Sequence, residues 1–245
     1  MNKEIKLLVF DVFGTVVDWR GSVIAEGKSK WKSRGVDIDW GQFVDQWRAG
    51  YQPAMDRIRK GEVEWENIDH LHRQILDKLL TQFDVHYLTE EQKIDLNRIW
   101  HRLKPWDDAA TGLQKLRQHY TITTLSNGNM SLLVNLSKYG NLHWDCILSA
   151  ELAKHYKPDL ETYQIACDLM DVVPEQAMMI ASHRGDLLAS QQIGMHTAFV
   201  QRPLEYGLGN AGEEADASFD LIVTDFHDLA EQLTTWQADT QRHGY

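Results

Sequence analysis

Ile5-Lys6-Leu7-Leu8-Val9-Phe10 is a nearly continuous apolar run, partly β-branched. Such a run fits a strand buried on both faces. Similar short runs recur at Thr121–Leu125, Met178–Ala181, Thr197–Val200 and Leu221–Val223. Helical periodicity separates or follows them at Ala109–His119, Met130–Lys138, Leu160–Met170, Leu187–Ile193 and Phe226–Gln237. Alternating strands and helices predict an α/β fold with a parallel sheet and helices on both faces. Residues 18–104 break the alternation with four amphipathic stretches, Val23–Arg34, Trp40–Ile58, Trp65–Phe83 and Glu90–Trp100, and no clear strand. A helical module inserted after the first strand accounts for this. The polar tail Thr234–Tyr245 is expected to fray.

Charge supports the same division. Residues 18–104 carry 15 basic and 15 acidic side chains, while the remainder carries 10 and 21, which makes up the whole net charge of −11. Six of the nine tryptophans also lie in 18–104. The 245 residues are 43% hydrophobic and 25% charged, as expected for a soluble globular chain. The negative balance argues against a nucleic-acid or anionic-membrane partner. No stretch approaches the roughly 18 apolar residues a membrane span requires, and the first apolar run is too short for a signal-peptide core. Cys146 and Cys167 show no metal-ligand or CxxC spacing. They are expected to be buried thiols in the reducing cytoplasm.

In open parallel sheets, ligands sit at the carboxyl ends of the strands. The first strand is followed by Asp11-Val12-Phe13-Gly14-Thr15 and the second by Ser126-Asn127-Gly128. Lys157-Pro158 stands in a loop before a helix, and a later strand is followed by Ser182-His183-Arg184-Gly185-Asp186. Two carboxylates, a hydroxyl and a lysine thus converge from four loops. His70 and His72, two apart on a helix, face different sides and have no metal-binding spacing.

Asp-x-x-Gly-Thr, Ser-Asn-Gly, Lys-Pro and a late Asp, in that order, resemble the haloacid dehalogenase superfamily over the whole chain. The resemblance implies a Rossmann-like catalytic core of residues 1–17 and 105–245, with residues 18–104 as a helical cap. Most of that superfamily are magnesium phosphatases with a second Asp two residues after the nucleophile. Here that position is Phe13, which can carry no proton, and Ser190 stands where an acid would help hold a metal. The pattern resembles instead the 2-haloacid dehalogenase branch, which implies no metal, no other cofactor and a small halogenated carboxylic acid such as a haloacetate or 2-halopropionate. Halide departs as an anion and needs no general acid. The alternatives are a magnesium-dependent phosphatase of the same fold and a catalytically silent binding member.

The resemblance implies roles. Asp11 attacks the halogen-bearing carbon and forms an ester that water then opens. Lys157 pairs with Asp11 and keeps it ionised. Gly14 permits a tight turn and Thr15 bonds within it. Ser126 grips the substrate carboxylate and Asn127 donates to the halide. Phe13 lies against the substrate. Arg48, in Trp47-Arg48 with Tyr51 following, matches the cap pattern expected to hold the halide; Arg20, in Trp19-Arg20, is its rival or a second clamp on the carboxylate. Tyr163 either points its hydroxyl at the site or packs as a core residue. The last motif departs from the best-known dehalogenases, with Ala181 in place of Ser and His183 in place of Asn. Asp186 is expected to activate the hydrolytic water, with His183 either assisting or simply bonded in its loop. That change points to a tighter site, suited to haloacetates. Family members of this kind are often homodimers, and a homodimer is expected.

Overall fold

Six strands form one parallel sheet in the computed structural model, which describes residues 4–242. In chain order the strands are β1 Leu7–Phe10, β2 Val17–Asp18, β3 Lys104–Pro105, β4 Thr121–Ser126, β5 Cys146–Ser149, β6 Ala177–Ala181, β7 His196–Val200 and β8 Leu221–Val223. The large sheet runs β5-β4-β1-β6-β7-β8, and β2 and β3 form a separate antiparallel pair. Strand β1 is central, with Phe10 level with Thr124 on one side and Ile180 on the other. The chain leaves β1 towards both halves of the sheet, which opens a crevice at its carboxyl end.

The buried residues of β1 alternate between two hydrophobic clusters. Leu8 and Phe10 join one and Leu7 and Val9 the other, and Met178/Ile180 and Met179/Ala181 divide the same way in β6. This is the two-residue period of a strand covered on both faces. The first face is covered by α5 (Ala109–Leu116), α6 (Met130–Tyr139) and α10 (Phe226–Arg242), through Leu113, Leu132 and Phe226. The second is covered by α8 (Leu160–Leu169), which follows the short α7 (Ala150–Ala153), and by α9 (Arg184–Gln191), through Tyr163, Ala166 and Leu187.

Four helices lie between β2 and β3: α1 Trp19–Glu26, α2 Trp40–Arg59, α3 Ile68–Gln82 and α4 Glu90–Asn97. Side-chain caps start each of them. Asp18, Asp39 and Asn67 accept from Gly21, Gln42 and His70, and Thr89 with Gln92 makes a reciprocal capping box. The helix expected over Val23–Arg34 starts earlier, at Trp19, because of its Asp18 cap. It ends in a π turn (Gly27–Trp31) and a 3-10 turn (Lys32–Arg34). Trp31, Trp47 and Trp100 are fully buried in this segment. Helix α10 continues past Thr234, and past the Gln237 at which the helical pattern ends, to Arg242; the last three residues of the tail lie outside the described ones. Among the described residues, no helix is long and apolar enough to cross a membrane.

Candidate active site

Beyond Phe10 the chain leaves β1 with the Asp11 amide still bonded to the Ile180 carbonyl at 3.0 Å. The Asp11 side chain therefore projects from the sheet edge into the crevice. Gly14 then turns at φ +87°. A Cβ there would lie 2.2 Å from Glu205 Oε1, so Gly14 supplies both the turn and the room for a buried acid. Thr15 Oγ1 donates to Asp11 Oδ2 at 2.8 Å and accepts from the Ser182 amide at 2.9 Å, which ties the loop after β1 to the loop after β6.

Lys157 Nζ donates to Asp11 Oδ1 at 3.0 Å and to Asp186 Oδ2 at 2.5 Å. Tyr163 Oη donates to Asp186 Oδ1 at 2.5 Å, so this buried tyrosine does turn its hydroxyl to the site. The two carboxyls are driven apart. Burial would raise Asp11, but the Lys157 charge and the bonds from His183 and Lys157 hold it well below the usual carboxylate range. Burial raises Asp186, and the Asp11 charge adds to that against the pull of Lys157. Asp11 is the ionised member of the pair, and Asp186 is the carboxyl more ready to take a proton. Burial would lower Lys157; Asp11 and Asp186 outweigh it, and its ammonium persists.

His183 is engaged on both sides. Nδ1 meets Asp11 Oδ2 at 3.0 Å and Nε2 meets Glu205 Oε1 at 2.9 Å. Burial would lower the imidazole, but the Glu205 charge and the bonds to both carboxylates carry it well above its ordinary value. Both ring nitrogens are thus engaged by carboxylates that tie the loop after β6 to Asp11 and Glu205.

Asp11, Phe13, Ser126, Asn127, Lys157, Tyr163, His183 and Asp186 line one cavity of about 450 Å³, together with Arg48, Tyr51, Gln52, Asp56 and Arg59 from α2. The Ser126 hydroxyl accepts from the Gly128 amide at 3.1 Å. Asn127 Oδ1 accepts from the Lys157 amide at 2.8 Å, so its two Nδ2–H face away from that bond and have no partner among the described residues. The Arg48 guanidinium lies 4.5 Å from the Tyr51 ring centre and 5.6 Å from that of Trp19. It makes no ion pair among the described residues. Arg20 does not join the cavity. Its Nε and Nη2 form a bidentate pair with Asp45 at 2.7 and 2.9 Å, which holds one edge of the guanidinium on the cap. Behind Phe13 the wall is aromatic: Trp100 packs edge-on to Phe13, and His72 stacks on Trp100 at 4.4 Å. Burial pushes His72 down to about 3, so this wall is uncharged at neutral pH.

The sequence profile of the haloacid dehalogenase-like hydrolases matches residues 5–194. The chain belongs to that family. Among relatives of this haloacid dehalogenase-like hydrolase is (S)-2-haloacid dehalogenase 1 of Pseudomonas sp. (strain CBS-3), 28% identical over 82% of this chain and 88% of its own. Two solved structures are more similar. The L-2-haloacid dehalogenase PA0810 is 40% identical, with a TM-score of 0.91 over 94% of this chain and 99% of its own. The defluorinating L-2-haloacid dehalogenase Rha0230 is 37% identical, with a TM-score of 0.90 over 94% and 95%.

Two residues of this hydrolase's site, Ser182 and Glu205, have no role assigned from its sequence, and Tyr51 enters there only as part of the cap pattern. Ser182 shares a hydroxyl contact with Thr15 at 3.0 Å. Tyr51 supports Arg48. Glu205, 1% exposed, lies in the loop after β7 and also accepts from Trp19 Nε1 at 3.0 Å. The signal for Glu205 was its position: an acid shortly after a strand, at the same carboxyl edge as Asp11 and Asp186.

Proposed function

We propose that this chain is a hydrolytic (S)-2-haloacid dehalogenase acting on small 2-haloalkanoic acids. It releases halide and a 2-hydroxy acid through an ester on Asp11. The observation that carries the reading is the buried, ionised Asp11, held by an ammonium and followed two residues later by a phenyl ring instead of an acid. A carboxylate so placed is a nucleophile towards saturated carbon, and halide leaves without a proton. The names of the relatives support the same substrate class.

Asp11 attacks the α-carbon from the side opposite the halogen, so configuration inverts. Ser126 and amides beyond Asp11 bind the substrate carboxylate. Arg48 and the Asn127 amide face the departing halide, where charge accumulates in the transition state. Water then attacks Cγ of the ester, and Asp186 takes its proton. Residues 18–104 act as a cap: they bring Arg48, Tyr51 and the aromatic wall over the core. The Lys157 ammonium bridges Asp11 and Asp186, which favours a reaction without metal. We further place the protein in the cytoplasm, as a homodimer without a nucleic-acid partner; its two cysteines are free thiols.

Chloro-, bromo- and fluoroacetate and both enantiomers of 2-chloropropionate test this. Halide release is expected with the acetates and the (S) enantiomer, unchanged by chelator. Release of phosphate from a simple phosphate ester, only with Mg²⁺ and with no halide from any haloacid, would overturn it.

Arg48 and Arg20 are separable. Arg48→Ala is expected to cut turnover by about 10²–10³, the loss typical of one donor to developing charge. Arg20→Ala should leave turnover within about twofold and cost less than about 1 kcal/mol of stability, as a partly exposed pair. Steady-state halide release beside urea unfolding checks both. Equal losses from the two variants would return Arg20 to the site.

A further inference from the structure

We infer that Glu205 holds His183 as a doubly protonated imidazolium whose Nδ1–H, beside the Thr15 hydroxyl, stabilises the oxyanion formed when water opens the Asp11 ester. The inference rests on the dehalogenase reading above and deepens it.

The proton count of the ring points to the imidazolium. His183 has carboxylate oxygens 3.0 Å from Nδ1 and 2.9 Å from Nε2. A neutral imidazole has one N–H, so one of these contacts would set a lone pair against a carboxylate. Glu205 Oε1 already accepts from Trp19 Nε1 at 3.0 Å, which marks that oxygen as an acceptor and leaves the shared proton on the ring. Glu205 is buried, its charge is not screened by water, and only a glycine at position 14 leaves it space.

The Asp11 oxygens are not equivalent. Oδ2 accepts from Thr15 and His183, whereas among the described residues Oδ1 accepts from Lys157 alone. Oδ1 therefore keeps the freer lone pair and is the oxygen that attacks. In the ester, Oδ1 bears the substrate carbon and Oδ2 is the carbonyl oxygen, already facing two donors. Water oxygen then bonds to Cγ, its proton passes to Asp186, and the negative charge moves onto Oδ2. When the Cγ–Oδ1 bond breaks, Oδ1 leaves in the hydroxy acid and takes the proton back from Asp186. The new oxygen stays in Asp11, and the second water proton, left on it, passes to solvent as the carboxylate re-forms, so one proton is released with each halide. The donors on Oδ2 act when charge returns there, and a charged donor is about twice as strong as a neutral one. In the first step the same donors only damp the nucleophile.

Glu205→Gln separates the two steps, since it keeps size and an acceptor and loses the charge. With enzyme in excess over bromoacetate, halide release should proceed at the wild-type rate or faster. Hydrolysis of the adduct should slow by about ten- to a hundredfold, and mass spectrometry should find carboxymethyl on Asp11. The slowing should deepen as pH rises through about 6.5, the ordinary imidazole value. The charged groups facing His183 are Asp11 and Glu205; the adjacent Arg184 turns away to Asp216. His183→Asn, which restores a neutral donor, should hydrolyse the adduct faster than His183→Ala. Histidine-nitrogen NMR of the unmodified enzyme, assigned with His183→Asn, should show both ring nitrogens protonated well above pH 6.5, and this arm does not depend on how Glu205→Gln folds. Equal slowing of halide release and adduct hydrolysis, or a neutral His183 near pH 7, overturns the dyad alone. A wild-type enzyme that yields neither halide nor adduct overturns the dehalogenase reading, while the NMR result still reports the state of His183.

Discussion

Asp11→Asn is expected to lower halide release from every 2-haloacid by about four orders of magnitude or more, the scale seen when a covalent nucleophile is removed. The amide oxygen of Asn is a poor nucleophile, and the variant has no carboxylate with which to form the ester. The change also disturbs the bonds around it. Asn can still accept from Lys157 with its oxygen, but its NH2 would then face the Thr15 hydroxyl and the His183 Nδ1–H, where Asp11 Oδ2 now accepts. Thr15 can rotate to accept, whereas His183 would have to move or shed a proton. A stability change of about 1–3 kcal/mol is therefore expected alongside the kinetic loss. Because the kinetic loss is far larger, correcting for the folded fraction cannot account for it. A single turnover of the wild type in heavy-oxygen water provides the second check. The label should enter Asp11 first and reach product only in later turnovers. Label in the first-turnover product, or an Asn variant keeping more than about a hundredth of wild-type turnover, would remove Asp11 as the nucleophile.

Much of this arrangement could be read from local pattern because its parts are local. Leu7 to Phe10 alternate between two buried faces, and a strand buried twice is continuous in its apolar residues. Asp11 follows its strand directly, Ser126 ends β4 and Asp186 lies in the first turn of the helix after β6, so their convergence follows from parallel order alone. Strand β5 leaves little trace in the sequence because Cys146–Ser149 is an edge strand of four residues, only half of them fully buried, whose last residue caps the next helix. The choice between Arg48 and Arg20 was not local either. Both follow a tryptophan, and what separates them is Asp45, which lies 25 residues beyond Arg20 and is brought to it by the packing of α1 on α2. Glu205 belongs to no motif. Its role depends on a tertiary coincidence of His183, Trp19 and the missing Cβ of Gly14, which join residues up to 191 apart in the chain, the span from Gly14 to Glu205.

Lys157→Met is expected to be the most damaging change that spares both carboxylates. It leaves Asp11 and Asp186 buried without their shared cation, and breaking one partner out of a buried ion pair costs about 3–5 kcal/mol. Turnover should fall by about 10²–10³ or more, because Asp11 loses the charge that counters its burial and is protonated for more of the time. The pH dependence gives this prediction a sign. In the wild type, the Asp11 carboxyl sits below its unfolded value of 3.8; the stability it contributes is present above that value and lost as pH falls through the folded one. Lys157 sits above its unfolded 10.5, so its contribution is complete below that value and lost as pH rises through the folded one. In the Met variant Asp186 is raised by burial and Asp11 keeps only His183 to oppose its own burial, so protonation at acid pH relieves the penalty instead of adding one. The stability gap should thus be widest between about pH 5 and pH 10, and close towards either extreme. Urea unfolding of the two proteins across that range measures it directly. A gap that stays constant or widens below pH 4 would mean that the ammonium is not what holds the two carboxylates together.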